Sequence, residues 1–186
     1  GEVSIAYPGK LFGDNSDDKE SKQYVQRFLD AIKSDMLFAD KVCFVEGKAE
    51  ELLVPVFAEY MSKSLEDGHV TVISTGGRYF THFLKLFDTI RDTSAISKKV
   101  VCLTDRDPVW REREKGSFEC CYPFEKDKVG YECKEHSDDL INAYKDHPNI
   151  KICSQDANKG KTLEYDLMLH NSTSEILLVK RVVKQR

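Results

Sequence analysis

No apolar run in this sequence approaches the roughly 20 residues needed to cross a bilayer. No charged start with an apolar segment and a small-residue cleavage site opens it either. Membrane insertion and export are therefore not expected, and a cytoplasmic location is. The chain also lacks cysteines in metal-binding pairs. Cys43, Cys102 and Cys153 lie in apolar, strand-like runs, where a thiol acts as a small buried hydrophobe. Cys120, Cys121, Cys133 and His136 combine adjacent cysteines with a long gap, which is not zinc-site spacing. No zinc is expected, and reduced thiols fit the cytoplasm. A complete GxxxxGK[ST] loop is missing as well. Gly160-Lys161-Thr162 is only its tail, with Gln155 where the first glycine should stand, so no ATP is expected in this chain. Nor is there a basic excess: 28 Lys and Arg against 32 Asp and Glu give a formal charge of −4. Setting six carboxylates aside for a metal site leaves a remainder of about +2, so acidity is a weak objection to DNA binding. No basic helix or finger is seen that could read bases, and no internal repeat.

What is present suits one ordinary α/β domain: 186 residues, 40% hydrophobic and 32% charged. The first residue is Gly1 rather than Met, as expected of a trimmed chain or an excised fragment. Residues 1–20, with Pro8 and the polar run Asp14-Asn15-Ser16-Asp17-Asp18, read as a linker or flexible end. From about Ser21, Val25, Phe28, Leu29, Ile32 and Met36 recur at helical spacing. Residues 41–46 form a strand. Leu52, Val56 and Tyr60 beside Leu53, Phe57 and Met61 then give a helix with one broad apolar face, Pro55 fitting best in its opening turns. Val70–Ser74 is a second strand, Thr75-Gly76-Gly77 turns into a helix marked by Phe80, Phe83, Leu84 and Phe87, and Lys99–Thr104 is the third strand. Residues 108–137 read as an irregular insertion. Ser137 is expected to cap a helix stopped by His147-Pro148, Ile150–Cys153 to form a fourth strand, and Thr162 to cap a last helix. Strand alternating with helix implies crossover units and a mainly parallel sheet flanked by helices.

Two of these strands end in acids. Glu46 closes the first and precedes Gly47, while Asp105-Arg106-Asp107 follows the third. Carboxylates at the carboxyl edge of a parallel sheet can converge in one crevice. Glu50 can face the same crevice if a helix starts at Gly47, and Asp105 and Asp107 share a face if their segment is extended. Such oxygen donors suit magnesium or manganese. Taken singly, each acid reads equally well as a solvated strand end, and Glu50 as a helix-dipole partner.

Jointly, Glu46-Gly47 and Asp105-Arg106-Asp107 resemble the acidic core of the Toprim domain. Further blocks are similar to the carboxyl-terminal Toprim region of the overcoming lysogenisation defect (OLD) nucleases: Val45 to Leu53, Ser74-Thr75-Gly76-Gly77, Cys121 to Glu125, and Gly160 to Leu167. The resemblance runs from about residue 21 to the end and implies a Toprim-like Rossmannoid fold. It implies a metal-dependent DNA endonuclease with Glu46, Asp105 and Asp107 as catalytic positions. Glu46, Glu50, Asp105 and Asp107 would be ligands, and Glu164 or Asp166 would complete a second metal site. Two Mg2+ or Mn2+ ions about 4 Å apart can stabilise the attacking and leaving oxygens of a phosphodiester displacement. On a regular helix Glu164 and Asp166 point roughly 200° apart, so at most one ligates unless the helix starts after Glu164. Implied partners are DNA, an amino-terminal ATPase domain and, in the full-length context, a second copy. The chain departs from the family in carrying no recognisable catalytic lysine downstream of Glu164. Lys180 and Lys184 are stand-ins that read as solvated lysines.

Two other readings compete. Asp105-Arg106-Asp107 imitates the nucleophile and acid of a haloacid-dehalogenase-like phosphatase, which forms an aspartyl phosphate. That chemistry leaves Glu46 without a role and expects a small polar residue where Val109 stands. The third is a Toprim scaffold that holds DNA or metal without cutting.

Overall fold

The computed structural model describes residues 5–31, 35–112, 118–127, 129–135 and 137–173. In chain order they form α1 (Ser16–Ala31), α2 (Asp35–Phe38), β1 (Lys41–Val45), α3 (Lys48–Tyr60), β2 (Val70–Ser74), α4 (Phe80–Leu84) and β3 (Lys99–Leu103). There follow β4 (Val109–Glu112), β5 (Phe118–Cys120), β6 (Tyr131–Lys134), α5 (Asp138–Ala143), β7 (Ile150–Cys153) and α6 (Leu163–His170). They divide into two units, one of the chain up to Thr104 with Asp139–Ser154, the other of Asp105–Asp138 with the chain from Gln155 onward.

The first unit is built on a four-stranded, all-parallel sheet in the order β2-β1-β3-β7. Its strands are short runs of β-branched, aromatic and thiol side chains. In β1 four consecutive residues, Val42 to Val45, are buried, the pattern of a strand covered on both faces. The core joins Val42, Phe44, Ile73, Val100, Cys102, Ile150 and Ile152 of the sheet to Val25, Met36, Phe80, Phe83 and Leu84 of the helices and to Phe87 in the turn after α4. Phe83 meets Phe28 edge-on at 4.5 Å between ring centres, and each buried phenyl contributes about 2–3 kcal/mol of transfer free energy.

Three expectations in this unit need correction. Helix α1 begins at Ser16, inside the stretch read as a linker. Asn15 Oδ1 accepts the Asp18 N–H at 2.8 Å, so the Asp14–Asp18 run is a helix cap rather than a frayed end. Asp18 is only 3% exposed. Its carboxylate binds Arg91 at 2.6 and 2.7 Å and Lys85 at 3.0 Å, and accepts the Gly13 N–H. Pro55 is not in the opening turns of α3 but is its eighth residue, and the helix runs through it. The broad apolar face of α3 is also only partly used: no residue of the helix is fully buried, and Leu52 and Tyr60 are 71% and 84% exposed.

The second unit contains a three-stranded antiparallel sheet in the order β5-β4-β6 where an irregular insertion was expected. Trp110 of β4 pairs with Glu119 and Cys133, is buried, and donates its indole N–H to the Glu125 carbonyl at 3.1 Å. Thr162 caps α6 as expected, its Oγ1 accepting the Tyr165 N–H at 3.2 Å. Ser137 does not cap α5: its buried hydroxyl has no hydrogen-bond partner among the described residues. Ile32, His136, Lys180, Lys184 and the apolar run 176–179 lie outside the described residues. No described helix is long and apolar enough to cross a membrane.

Candidate functional site

From β1 the chain crosses to β2 on one side, and from β3 it crosses to β7 on the other, so the strand order reverses between β1 and β3. Open parallel sheets bind ligands outside the carboxyl ends of strands at such a switch point. Val45 and Leu103 are the last paired residues there, so Glu46 and Thr104 leave the sheet side by side. The Thr104 hydroxyl donates to Glu46 Oε1 at 2.6 Å, and Arg78 Nε lies 3.6 Å from Oε2. Each oxygen of the carboxylate thus faces its own donor, one neutral and one cationic.

The turn after β2 fixes the backbone beneath this side chain. Thr75 N–H and Oγ1–H both donate to the Val45 carbonyl, while Gly77 N–H and Ser74 Oγ–H donate to the Glu46 carbonyl. To bring these donors round, the chain needs φ of +73° at Gly76 and +133° at Gly77, which only glycine adopts without strain. The sequence Ser74-Thr75-Gly76-Gly77 is therefore a support for Glu46.

Glu50 is the third residue of α3, and its Oε2 accepts the Gly47 N–H at 3.0 Å. This is half of a capping box and the helix-terminus role that its position allows. A methyl on Gly47 would stand 2.9 Å from that oxygen.

In the second unit Asp105 Oδ1 accepts from Gln155 Nε2 at 2.5 Å and from the Leu163 N–H, in the first turn of α6, at 3.2 Å. The N–H groups of Arg106 and Asp107 converge on the Lys161 carbonyl at 3.1 Å each. The Arg106 guanidinium is bound by Glu135, by Asp138 and by the Gln155 carbonyl. Asp107 has φ of +37°, a left-handed conformation that Asp and Asn tolerate better than most residues. The segment is therefore not extended, and the two-residue spacing of Asp105 and Asp107 does not give them a common strand face. Helix α6 starts at Leu163, before Glu164, so the condition that would let both acids ligate is not met. Glu164 is exposed, and Asp166 turns back to accept the Lys161 N–H at 3.2 Å.

Among the described residues no three His, Cys, Asp or Glu side chains stand close enough together to hold a metal ion. The chemistry of the acids nonetheless fits a hard divalent cation. All donors are carboxylate oxygens, and each of Glu46, Glu50, Asp105 and Asp166 is steered by N–H or O–H groups. Burial pushes the Cys43 and Cys121 thiols up to about 11.

Sequence reasoning missed Thr104, Arg78 and Gln155. Thr104 had a signal, since it follows β3 at the position that Glu46 occupies after β1. Arg78 follows the double glycine directly. Gln155 stands out in the sequence only as the residue that spoils a phosphate loop.

Residues 37–107 match the family model described as the TOPRIM domain of overcoming lysogenization defect protein-like proteins. Among solved structures, the C-terminal region of the Xanthomonas campestris pv. campestris OLD protein is similar at 25% identity, covering 82% of this chain and 66% of that one, with a TM-score of 0.48. The C-terminal region of the Burkholderia pseudomallei OLD protein is similar at 21% identity, covering 67% of this chain and 56% of that one, with a TM-score of 0.41. The chain thus spans just under two thirds of the length of the first. No curated protein matches it. The matched segment contains both acidic motifs, Glu46-Gly47 and Asp105-Arg106-Asp107, and it is this segment of the chain that is similar to the TOPRIM domain of overcoming lysogenization defect protein-like proteins.

Proposed function

We propose that this domain is the cleaving part of a divalent-metal-dependent endodeoxyribonuclease that is coupled, in the full-length protein, to an amino-terminal ATPase domain. The observation that carries the reading is Glu46, an acid at the switch point of a parallel sheet, held by Thr104 and Arg78 within a segment of Toprim type. Glu46, Glu50, Asp105, Asp107 and one of Glu164 or Asp166 are the proposed ligands of Mg2+ or Mn2+. Bound cations supply the positive charge that activates water and stabilises the leaving oxygen in phosphodiester hydrolysis.

The chain's own groups prepare the ligands. Thr104 fixes the Glu46 carboxylate, Gln155 and the Leu163 N–H fix that of Asp105, and the Ser74–Gly77 turn fixes the backbone from which Glu46 projects. DNA is held through its phosphates, so binding weakens with added salt and shows no strong sequence preference.

Plasmid nicking with magnesium, manganese, calcium or a chelator in parallel tests the reaction and the cation together. Nicking is expected with magnesium or manganese and not in chelator. It is expected to vanish in Glu46→Gln and Asp105→Asn, while the fold persists. Wild-type rates in both variants would remove the assignment.

A further inference from the structure

We infer that Gln155 is a positioning residue for the acidic motif, holding the Asp105 carboxylate and the Arg106 backbone with the two ends of one side-chain amide. The inference rests on the proposed role of Asp105 as a metal ligand. It goes further in assigning the orientation of that ligand to a residue outside the acidic set.

The geometry leaves the amide one orientation. Its Nε2 donates to Asp105 Oδ1 at 2.5 Å, and its Oε1 accepts the Arg106 N–H at 3.0 Å. A carboxylate can only accept and a backbone N–H can only donate, so reversing the amide would oppose like groups at both ends. The Gln155 backbone joins in, its carbonyl accepting from Arg106 Nε at 2.6 Å. The chain then returns as a closed loop. Gly160 N–H donates to the Asp156 carbonyl at 2.8 Å, and the Lys161 carbonyl takes the N–H groups of Arg106 and Asp107.

Gly160 is what allows this closure. A Cβ at that position would fall 2.1 Å from Gln155 Cβ and 2.9 Å from the Asp156 carbonyl oxygen. Both are close to the main chain and cannot swing aside. The Gly160-Lys161-Thr162 run imitates the end of a phosphate loop but serves the acidic motif instead. It presses on the stem of Gln155, offers its carbonyl to the motif, and caps α6.

The test is Mn2+ affinity, measured by calorimetry, beside the melting temperature of the metal-free protein in chelator. Gln155→Met keeps the stem that packs on Gly160 and removes both polar ends. Gln155→Asn keeps the amide but shortens its reach by one methylene, and decides the matter if the first variant does not fold. Outer-sphere partners of metal ligands typically control affinity by 10- to 100-fold. The expected result is Mn2+ binding weakened about tenfold, measured at a temperature where the metal-free variant is fully folded, with a metal-free melting temperature lowered by the lost hydrogen bonds. Wild-type affinity in the folded variant would overturn the inference. Asp105→Asn in the same assay separates the two levels. If that variant binds Mn2+ as the wild type does, the ligand reading fails and the positioning role falls with it. If Asp105→Asn weakens binding and the Gln155 variants do not, only the positioning role is lost.

Discussion

Thr104 and Glu46 leave adjacent parallel strands at the same level, and the hydroxyl of one donates to the carboxylate of the other at 2.6 Å. Thr104 is buried, so its hydroxyl has little recourse to water when Glu46 is altered. Thr104→Val keeps the shape and removes the donor. It is expected to lower stability by about 1.5–3 kcal/mol, the usual worth of a hydrogen bond to a charged group, and to slow metal-dependent nicking. Thr104→Ser should restore both. Urea denaturation and a nicking time course on the three proteins check this.

Asp107 has a left-handed backbone and, in the proposed metal site, a ligand charge, and two variants address them separately. Asn tolerates the left-handed conformation as Asp does, so Asp107→Asn keeps the backbone and should lose nicking. Asp107→Val adds a left-handed backbone penalty of about 1–2 kcal/mol and should also melt lower. Equal melting temperatures for the two variants would show that the conformation at residue 107 is not under strain.

Asp18 ties α1 to the segment after α4. The Arg91 guanidinium first, and the Lys85 ammonium second, hold its carboxyl well below the usual carboxylate range. The folded state therefore binds this proton less readily than the unfolded chain. The stabilisation is complete above about pH 4, the unfolded carboxylate value, and is lost as the pH falls below it. Asp18→Asn should cost roughly 3 kcal/mol at neutral pH by taking a buried carboxylate from Arg91 and leaving Lys85 with Asp17. It should also flatten the acid limb of a stability-against-pH curve measured by denaturant titration.

Gly160→Ala places a methyl against the Gln155 stem and the Asp156 backbone. Overpacking of this kind costs about 1–3 kcal/mol. Gly76→Ala meets no atom within 4 Å but carries the strain of φ at +73°. Both variants should melt lower, and scanning calorimetry on the two would compare a steric cause with a conformational one.

The parallel sheet was legible in the sequence because its strands are continuous apolar runs. Lys41–Val45 and Val70–Ser74 fall within a residue of where β-branched and aromatic residues put them. The second sheet was not legible for the opposite reason. Phe118-Glu119-Cys120 and Tyr131-Glu132-Cys133-Lys134 do alternate apolar with charged, but over three or four residues, too few to stand out from an irregular stretch. The start of α1 was hidden because Asn and Asp serve loops and helix caps equally well, and the ion pairs that bury Asp18 come from residues 67 and 73 positions away. That Glu46 and Asp105 follow the ends of β1 and β3 could be read directly, since strand ends are encoded locally. Their partners could not: Thr104 with Glu46 and Gln155 with Asp105 are set by strand neighbours and loop closure, which a single sequence does not print.

Glu50 commits its carboxylate to the Gly47 amide that opens α3. In the proposed site, an ion taken by Glu50 through its other oxygen would leave the Gly47 N–H in place as the outer donor that fixes the carboxylate. Occupancy of such an ion and order at the start of α3 would then be coupled, each supporting the other, with the coupling on the order of the 1 kcal/mol that such a cap is worth.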